Sequence, residues 1–178
     1  PKSMLRQILL FYLVLASFGG INAQTKDFAA IDIYALNAPV EACKSPESLA
    51  YYLKSADKFS ERDKARAIYT WITHNIRYNH SIIEQNLLGT RENTLMQQAE
   101  NVLAQRSGVC EGYANLYKVL ANLMGLSAEI VTGKVRREDG QIPEIGHAWV
   151  SVKIGGEWSL SDPTWGAGYY DPDAGIHF

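Results

Sequence analysis

Apolar and polar positions change their period midway along the chain, from a helical spacing to a two-residue alternation. Between Ser60 and Ile76, the residues Ala65, Ile68, Tyr69, Ile72 and Ile76 recur on one face of a 3.6-residue repeat. Ser60-Glu61-Arg62-Asp63 ahead of them has the form of a capping box with Asp in place of Glu, which predicts a helix opening at Ser60. Upstream, Ser45-Pro46-Glu47 supplies an N-cap, a proline at the first helical position and an early acid. Leu49, Tyr52, Leu53 and Ala56 follow at helical spacing, so a short amphipathic helix is predicted there. Residues 79–97 are polar and without a sustained period, and read as a long loop along one wall of a cleft. A short helix over 99–105 ends at Arg106-Ser107-Gly108. The next helix begins at Cys110, and Tyr113, Leu116, Tyr117, Leu120 and Leu123 make it apolar on most sides, the pattern of a core helix that stops at Gly125.

From Ser127 onward the alternation is that of strands. Ile130, Val131 and Val135 mark a strand over 128–135, and Asp139-Gly140 marks a turn. Ala148, Val150, Val152 and Ile154 share one face of a strand over 147–154, and a third strand spans about 157–162. Gly155-Gly156 between the last two is a two-residue hairpin signal. Helices followed by an antiparallel sheet define an α+β domain. There is no internal repeat and no low-complexity tract.

The N-terminus is patterned differently. Lys2 and Arg6 precede an apolar run from Ile8 to Phe18, and Ile21-Asn22-Ala23 resembles a signal-peptidase site, so residues 1–23 are expected to be a secretory signal. The run is shorter than the roughly 20 apolar residues of a membrane span and is followed at once by Gly19-Gly20 and polar residues. Met4 is the natural start of that signal, which leaves residues 1–3 upstream of it. A secreted or periplasmic protein without a stable membrane anchor is therefore expected. The division that follows is 1–23 signal, 24–59 an N-terminal segment with a short helix, and 60–178 the main domain, expected to be truncated at its C-terminus because no closing element follows His177-Phe178.

Length and charge narrow the partners. The 178 residues suit one domain. The net charge of -2 falls to -4 once the signal, with Lys2 and Arg6, is removed, since 15 basic residues then face 19 acidic ones. That is no nucleic-acid footprint. His74 and His80 share no helical face and have no cysteine pair beside them, so neither metal nor cofactor is expected.

The candidate chemistry lies in three short runs. Gly108-Val109-Cys110-Glu111-Gly112 places a cysteine at a helix start, Gly146-His147-Ala148-Trp149 a histidine at a strand start, and Ser161-Asp162-Pro163-Thr164-Trp165 an aspartate at a strand end. A thiol, an imidazole and a carboxylate are the nucleophile, base and orienter of covalent acyl transfer. The hairpin register tests whether they meet. With Gly155-Gly156 as the loop, Ile154 faces Glu157 and Trp149 faces Asp162, so His147 and Asp162 share a face as diagonal neighbours about 7–8 Å apart at Cα. A three-residue loop would put them on opposite faces. The helix start favours the Cys110 thiolate, and the Cys110 backbone N–H points toward a developing oxyanion, while Glu111 opposes the thiolate.

Plainer readings stand beside these. Cys110 is either a nucleophile or a structural thiol, and a Cys43–Cys110 disulfide, open to an exported chain with two cysteines, would remove the nucleophile. His147 alone reads as an ordinary strand residue and Asp162 before Pro163 as a turn residue. Trp149 and Trp165 either belong to the core or flank a substrate groove.

Together, Gly108 to Ala114, Gly146 to Val150 and Asp162-Pro163-Thr164-Trp165-Gly166 resemble the three core motifs of the transglutaminase-like superfamily, in its bacterial branch similar to kyphoscoliosis peptidase. Ala65 to Ile72 resembles the preceding helix of that branch, and the likeness runs from about Ser60 to Gly168. It implies a papain-like core with Cys110 as nucleophile, His147 as general base and acid, and Asp162 orienting His147. Members of the branch usually continue well past the Asp-Pro-Thr-Trp motif. The expected function is that of a cysteine peptidase or amidase acting on a protein or peptide, cell-wall peptide included. The alternatives are glutamine transamidation and a non-catalytic peptide-binding module on the same fold. No calcium-loop pattern is present.

Overall fold

Two serine caps open the helical half as the spacing predicts. The computed structural model describes residues 27–55, 59–79, 81, 98–136, 140–142, 146–168, 170–171 and 176–177. The expected signal, nearly all of the 79–97 loop, Ala56, His80 and Asp139 lie outside them. Helix α1 (Ala29–Leu36) and a 3-10 turn (Val40–Lys44) precede α2 (Pro46–Lys54). Ser45 and Ser48 cap α2 reciprocally, side chain to backbone N–H in both directions. Ser60 and Asp63 do the same for α3 (Glu61–Asn75), so Asp serves in the box where Glu is usual.

A two-residue strand β1 (Arg77–Tyr78) leaves α3 and pairs in parallel with β2 (Ser107–Gly108), which follows α4 (Ala99–Gln105). This parallel pair departs from the expected all-antiparallel arrangement. It exists because Arg106 turns the chain through the left-handed region at φ 53° while its guanidinium lies over the Trp71 ring at 4.7 Å. The chain is thereby delivered, four residues later, to the start of α5 (Cys110–Leu123).

Helix α5 is the axis of the molecule. Tyr113, Ala114, Leu116, Tyr117, Leu120 and Ala121 are all buried, and α2, α3, α4 and the sheet pack around them. Both buried phenols are satisfied: Tyr113 donates to the Ile76 carbonyl at 2.7 Å and Tyr117 to the Ala65 carbonyl at 3.2 Å. The helix ends at Gly125 as predicted. Gly125 adopts φ 81°, its N–H meets the Asn122 carbonyl, and the Leu126 N–H reaches back to Ala121.

The sheet contains β3 (Ala128–Gly133), β4 (His147–Ile154) and β5 (Glu157–Ser161), antiparallel in the order β3-β4-β5. Gly155 and Gly156 both have positive φ, the geometry of the tightest hairpin turn, and the Gly155 N–H is tied to the Glu61 carboxylate at 2.7 Å. Ile154 faces Glu157 and Val150 faces Ser161, as the loop length dictates. Ala148, Val150 and Val152 turn their buried side toward the helices. The predicted strand over 157–162 ends at Ser161, because Asp162 opens a four-residue helix, α6 (Pro163–Gly166). Strands β6 (Tyr170–Asp171) and β7 (Ile176–His177) form a further short pair. Among the described residues no helix is long and apolar enough to cross a membrane.

Candidate active site

Each of the three predicted residues stands at the boundary of an element. Cys110 is the first residue of α5, His147 the first of β4, and Asp162 the N-cap of α6. Helix and strand ends carry backbone N–H groups without partners in their own element, and these are the groups that act on the site.

The His147–Asp162 contact follows from the hairpin register. His147 Nε2 lies 2.7 Å from Asp162 Oδ2. A carboxylate can only accept, so Nε2 carries a proton, and in the neutral ring the lone pair sits on Nδ1. The other carboxylate oxygen, Oδ1, accepts the backbone N–H groups of Thr164 and Trp165, each at 3.1 Å. Asp162 thus caps α6 and holds the imidazole at once. The cap was readable beforehand, since Asp162-Pro163 repeats the N-cap-then-proline signature of Ser45-Pro46.

Two indoles flank the imidazole. Trp149, two residues on along the same strand face, stacks at 5.8 Å between centroids, and Trp165 of α6 stacks at 5.3 Å. Neither tryptophan is in the buried core: Trp165 is exposed, Trp149 is half-buried, and both lie against the imidazole. Gly133 makes room for Trp149, and Gly166 makes room for Tyr69. A Cβ on Gly133, the β3 partner of His147, would come within 2.9 Å of the Trp149 ring, and one on Gly166 would overlap the Tyr69 hydroxyl.

Cys110 has a less simple environment than its helix start suggests. Burial pushes its thiol pKa up, the backbone N–H groups of Ala148 and Glu111 pull it down, and the charges of Glu111 and Asp162 push it up again. The net direction is upward. The expected lowering by the helix start is outweighed by desolvation, which sequence spacing does not reveal. Cys110 and Cys43 are both free thiols, so the disulfide alternative does not occur here. The hydrogen bond from the Ala148 N–H, the residue after His147, places the sulfur beside the start of β4.

Two hollows reach Asp162 and Trp165, and a third lies beside Tyr78. One of about 280 Å³ is lined by Val135, Trp149, Leu160, Asp162 and Trp165. A cleft of about 550 Å³ runs between α3 and β5 and also reaches Asp162 and Trp165. A third, of about 210 Å³, lies between Tyr78, Tyr113 and Gly168. Burial raises the phenol of Tyr78 to about 12, with the Cys110 charge contributing. His74, set aside as a metal ligand, hydrogen-bonds the Thr70 carbonyl through Nδ1 at 2.9 Å.

The comparisons with known proteins bear on the family and the fold. The chain is 27% identical over 161 residues to kyphoscoliosis peptidase of Homo sapiens, covering 88% of this chain and 23% of that protein. It is 29% identical over 117 residues to the Mus musculus protein, covering 63% and 17% respectively. The chain therefore spans less than a quarter of the length of these curated relatives. Among solved structures, a candidate cysteine protease from Cytophaga hutchinsonii superposes with a TM-score of 0.52 at 24% identity, over 88% of this chain and 48% of that one. A TGase superposes with a TM-score of 0.51 at 21% identity, over 87% and 37%. At these identities the two structures speak for the fold, which is the papain-like, transglutaminase-like α+β core the motifs imply. A model of the transglutaminase-like superfamily matches residues 47–163, a stretch that contains Cys110, His147 and Asp162, and the chain belongs to that superfamily.

Proposed function

We propose that this protein is a thiol acyl-transfer enzyme, most simply a cysteine peptidase or amidase, with Cys110 as nucleophile, His147 as general base and acid, and Asp162 as the residue that orients His147. The observation that carries the reading is the 2.7 Å His147–Asp162 contact, which fixes the imidazole with its basic nitrogen, Nδ1, unoccupied by the carboxylate. The raised thiol makes that base necessary. With burial favouring the neutral form, Cys110 rests as a thiol whose proton must be removed in the reaction.

In the proposed sequence the Cys110 proton passes to Nδ1 as Sγ attacks a substrate carbonyl carbon. The resulting oxyanion is met by backbone N–H groups at the start of α5. His147 then returns the proton to the departing amine, the C–N bond breaks and a thioester remains. Water, deprotonated by the same imidazole, attacks the thioester and releases a carboxylic acid and the free thiol. The Trp149 and Trp165 rings stacked near the imidazole favour its transient positive charge. The resting thiol accepts N–H groups of Ala148 and Glu111, a looser arrangement than the reacting complex needs.

Hydrolysis is placed ahead of transamidation because the sequence likeness is to a peptidase. The substrates are peptides or proteins, cell-wall peptide among them, met outside the cytoplasm after removal of residues 1–23. Incubation with a peptide library and a labelled primary amine, read by mass spectrometry, tests the reading. Cleavage without amine incorporation is expected. Incorporation of the amine would assign a transamidase. If neither occurs and an alkylating probe labels wild type and His147→Ala equally slowly, the chain is a binding module instead.

A further inference from the structure

Ser161 and Asp162 are neighbours at the end of β5, and their side chains take opposite sides of the sheet. Ser161 pairs with Val150, which is fully buried against the helices, so the Ser161 hydroxyl faces the helices too. Asp162 faces the other way, toward His147. On the helix side the Ser161 hydroxyl meets the phenol of Tyr117 from α5. Tyr117 is buried, and its own hydroxyl donates to the Ala65 carbonyl of α3 at 3.2 Å, so its oxygen is the acceptor for Ser161. Two successive hydrogen bonds, Ser161 to Tyr117 and Tyr117 to Ala65, thus join β5, α5 and α3.

The position of Tyr117 along α5 gives that junction its meaning. Cys110 and Tyr117 are seven residues apart, two turns along one face of the helix and about 10 Å along its axis. One residue of this helix line carries the thiol, and the other is bonded to the residue next to Asp162. The proposed reaction needs the imidazole at a fixed distance from the sulfur. Asp162 fixes the imidazole only to the β5–α6 junction, and something else must fix that junction to α5. Apolar packing brings α5 against β4 and α6, but packing is non-directional, whereas a hydrogen bond to a buried phenol specifies distance and angle.

We infer that the Tyr117 hydroxyl is a positioning group for the proposed acyl transfer: through Ser161 it holds the end of β5, and with it the Asp162–His147 pair, at working distance from Cys110. The inference deepens the acyl-transfer reading and rests on it. Tyr117 is no catalytic residue, since it touches neither the sulfur nor the imidazole and takes no proton in the reaction. Its role is carried by two bonds, so loss of either hydroxyl, Tyr117 or Ser161, releases the same junction. Ser161 works as the relay because alternation along the strand turns it inward where Asp162 turns outward.

Alkylation of Cys110 by iodoacetamide in the full chain at pH 7 tests this through a double-mutant cycle with His147→Ala. The modified Cys110 peptide is followed by mass spectrometry, which separates it from Cys43. Tyr117→Phe keeps the ring and removes the hydroxyl. With His147 present it is expected to slow alkylation about fivefold, and in the His147→Ala background by less than about twofold, because no base is then left to misplace. Ser161→Ala should give the same pattern, and Ser161→Thr, which keeps the hydroxyl, should restore the rate. Tyr117→Phe and Ser161→Ala combined should be no slower than either alone. If Tyr117→Phe does not fold, Ser161→Ala on the half-buried strand end carries the same cycle. Equal slowing with and without His147 would overturn the inference, since it would report a change in the burial of the sulfur and not in the placing of the base. A wild-type rate accompanied only by a lower Tm would overturn it as well, leaving both hydroxyls to stabilise the fold alone. Equal rates in wild type and His147→Ala would instead bring down the acyl-transfer reading and this inference with it, a failure visible before either hydroxyl is altered.

Discussion

Asp162 binds His147 with one carboxylate oxygen and the first turn of its own helix with the other. The side chain has no freedom to turn, since a rotation that released either oxygen would break a charge-assisted hydrogen bond. The base of the proposed mechanism is positioned by a helix cap.

That double use makes Asp162→Asn a sharp test. An asparagine keeps the cap by directing its oxygen to the Thr164 and Trp165 N–H groups. Its NH2 then faces His147 Nε2, which must accept, so the ring proton moves to Nδ1 and the base is lost. The expected result is a fall in kcat of about 10³- to 10⁴-fold with an almost unchanged Tm. Asp162→Ala should lose both functions and about 1 kcal/mol of stability as well. Comparable activity in Asp162→Asn and wild type would remove Asp162 from the mechanism.

The thiol gives a pH prediction with a definite sign. Burial raises the Cys110 pKa above its ordinary value, so near neutrality the thiolate is the minor form and its share rises with pH. Alkylation by iodoacetamide should therefore accelerate by up to about tenfold per pH unit from pH 7 to 9, without levelling off. A rate already flat above pH 6 would indicate a preformed thiolate and contradict the burial argument.

What was legible in the sequence depended on local rules. The Gly155-Gly156 loop has one dominant geometry, so the pairing of β4 with β5 and the His147–Asp162 neighbourhood could be worked out by counting residues. The caps at Ser45 and Ser60 are local in the same way. The direction of the Cys110 shift was not legible, because desolvation depends on how deeply the folded chain buries the sulfur. Nor was the β1–β2 pair, whose strands of two residues each lie almost thirty positions apart in the chain. Helix α1 also lacked a signal, having no side-chain cap and depending on tertiary contacts to α3.

Gly166 should be intolerant of any side chain. A Cβ there would overlap the hydroxyl and ring of Tyr69, which comes from α3, and would push α6 and Trp165 off the imidazole. Gly166→Ala is expected to cost about 1–3 kcal/mol and to depress activity further than the stability loss alone explains. Adding Tyr69→Ala should restore much of both. If the double variant is as impaired as the single, the clash with Tyr69 is not the cause.

Asp32 fastens α1 to α3. Its carboxylate accepts Arg66 Nε and Nη2 and the Thr70 hydroxyl, each at 2.7 Å, and Arg66 continues over the rings of Phe28 and Tyr69. The Arg66 hydrogen bonds, foremost, hold the Asp32 pKa below its ordinary value, against a smaller opposing effect of burial. A carboxyl lowered on folding contributes stability above its unfolded pKa and loses it as pH falls through the folded one. Because the pair is partly exposed, Asp32→Asn should cost only about 1 kcal/mol at pH 7. The difference between wild type and variant should shrink progressively below about pH 4, as the carboxyl becomes neutral first in the unfolded chain and then, at lower pH, in the folded one. Urea melts across pH 7 to 2.5 measure this directly, and a constant difference at every pH would show that the Asp32 charge is not what holds α1 in place.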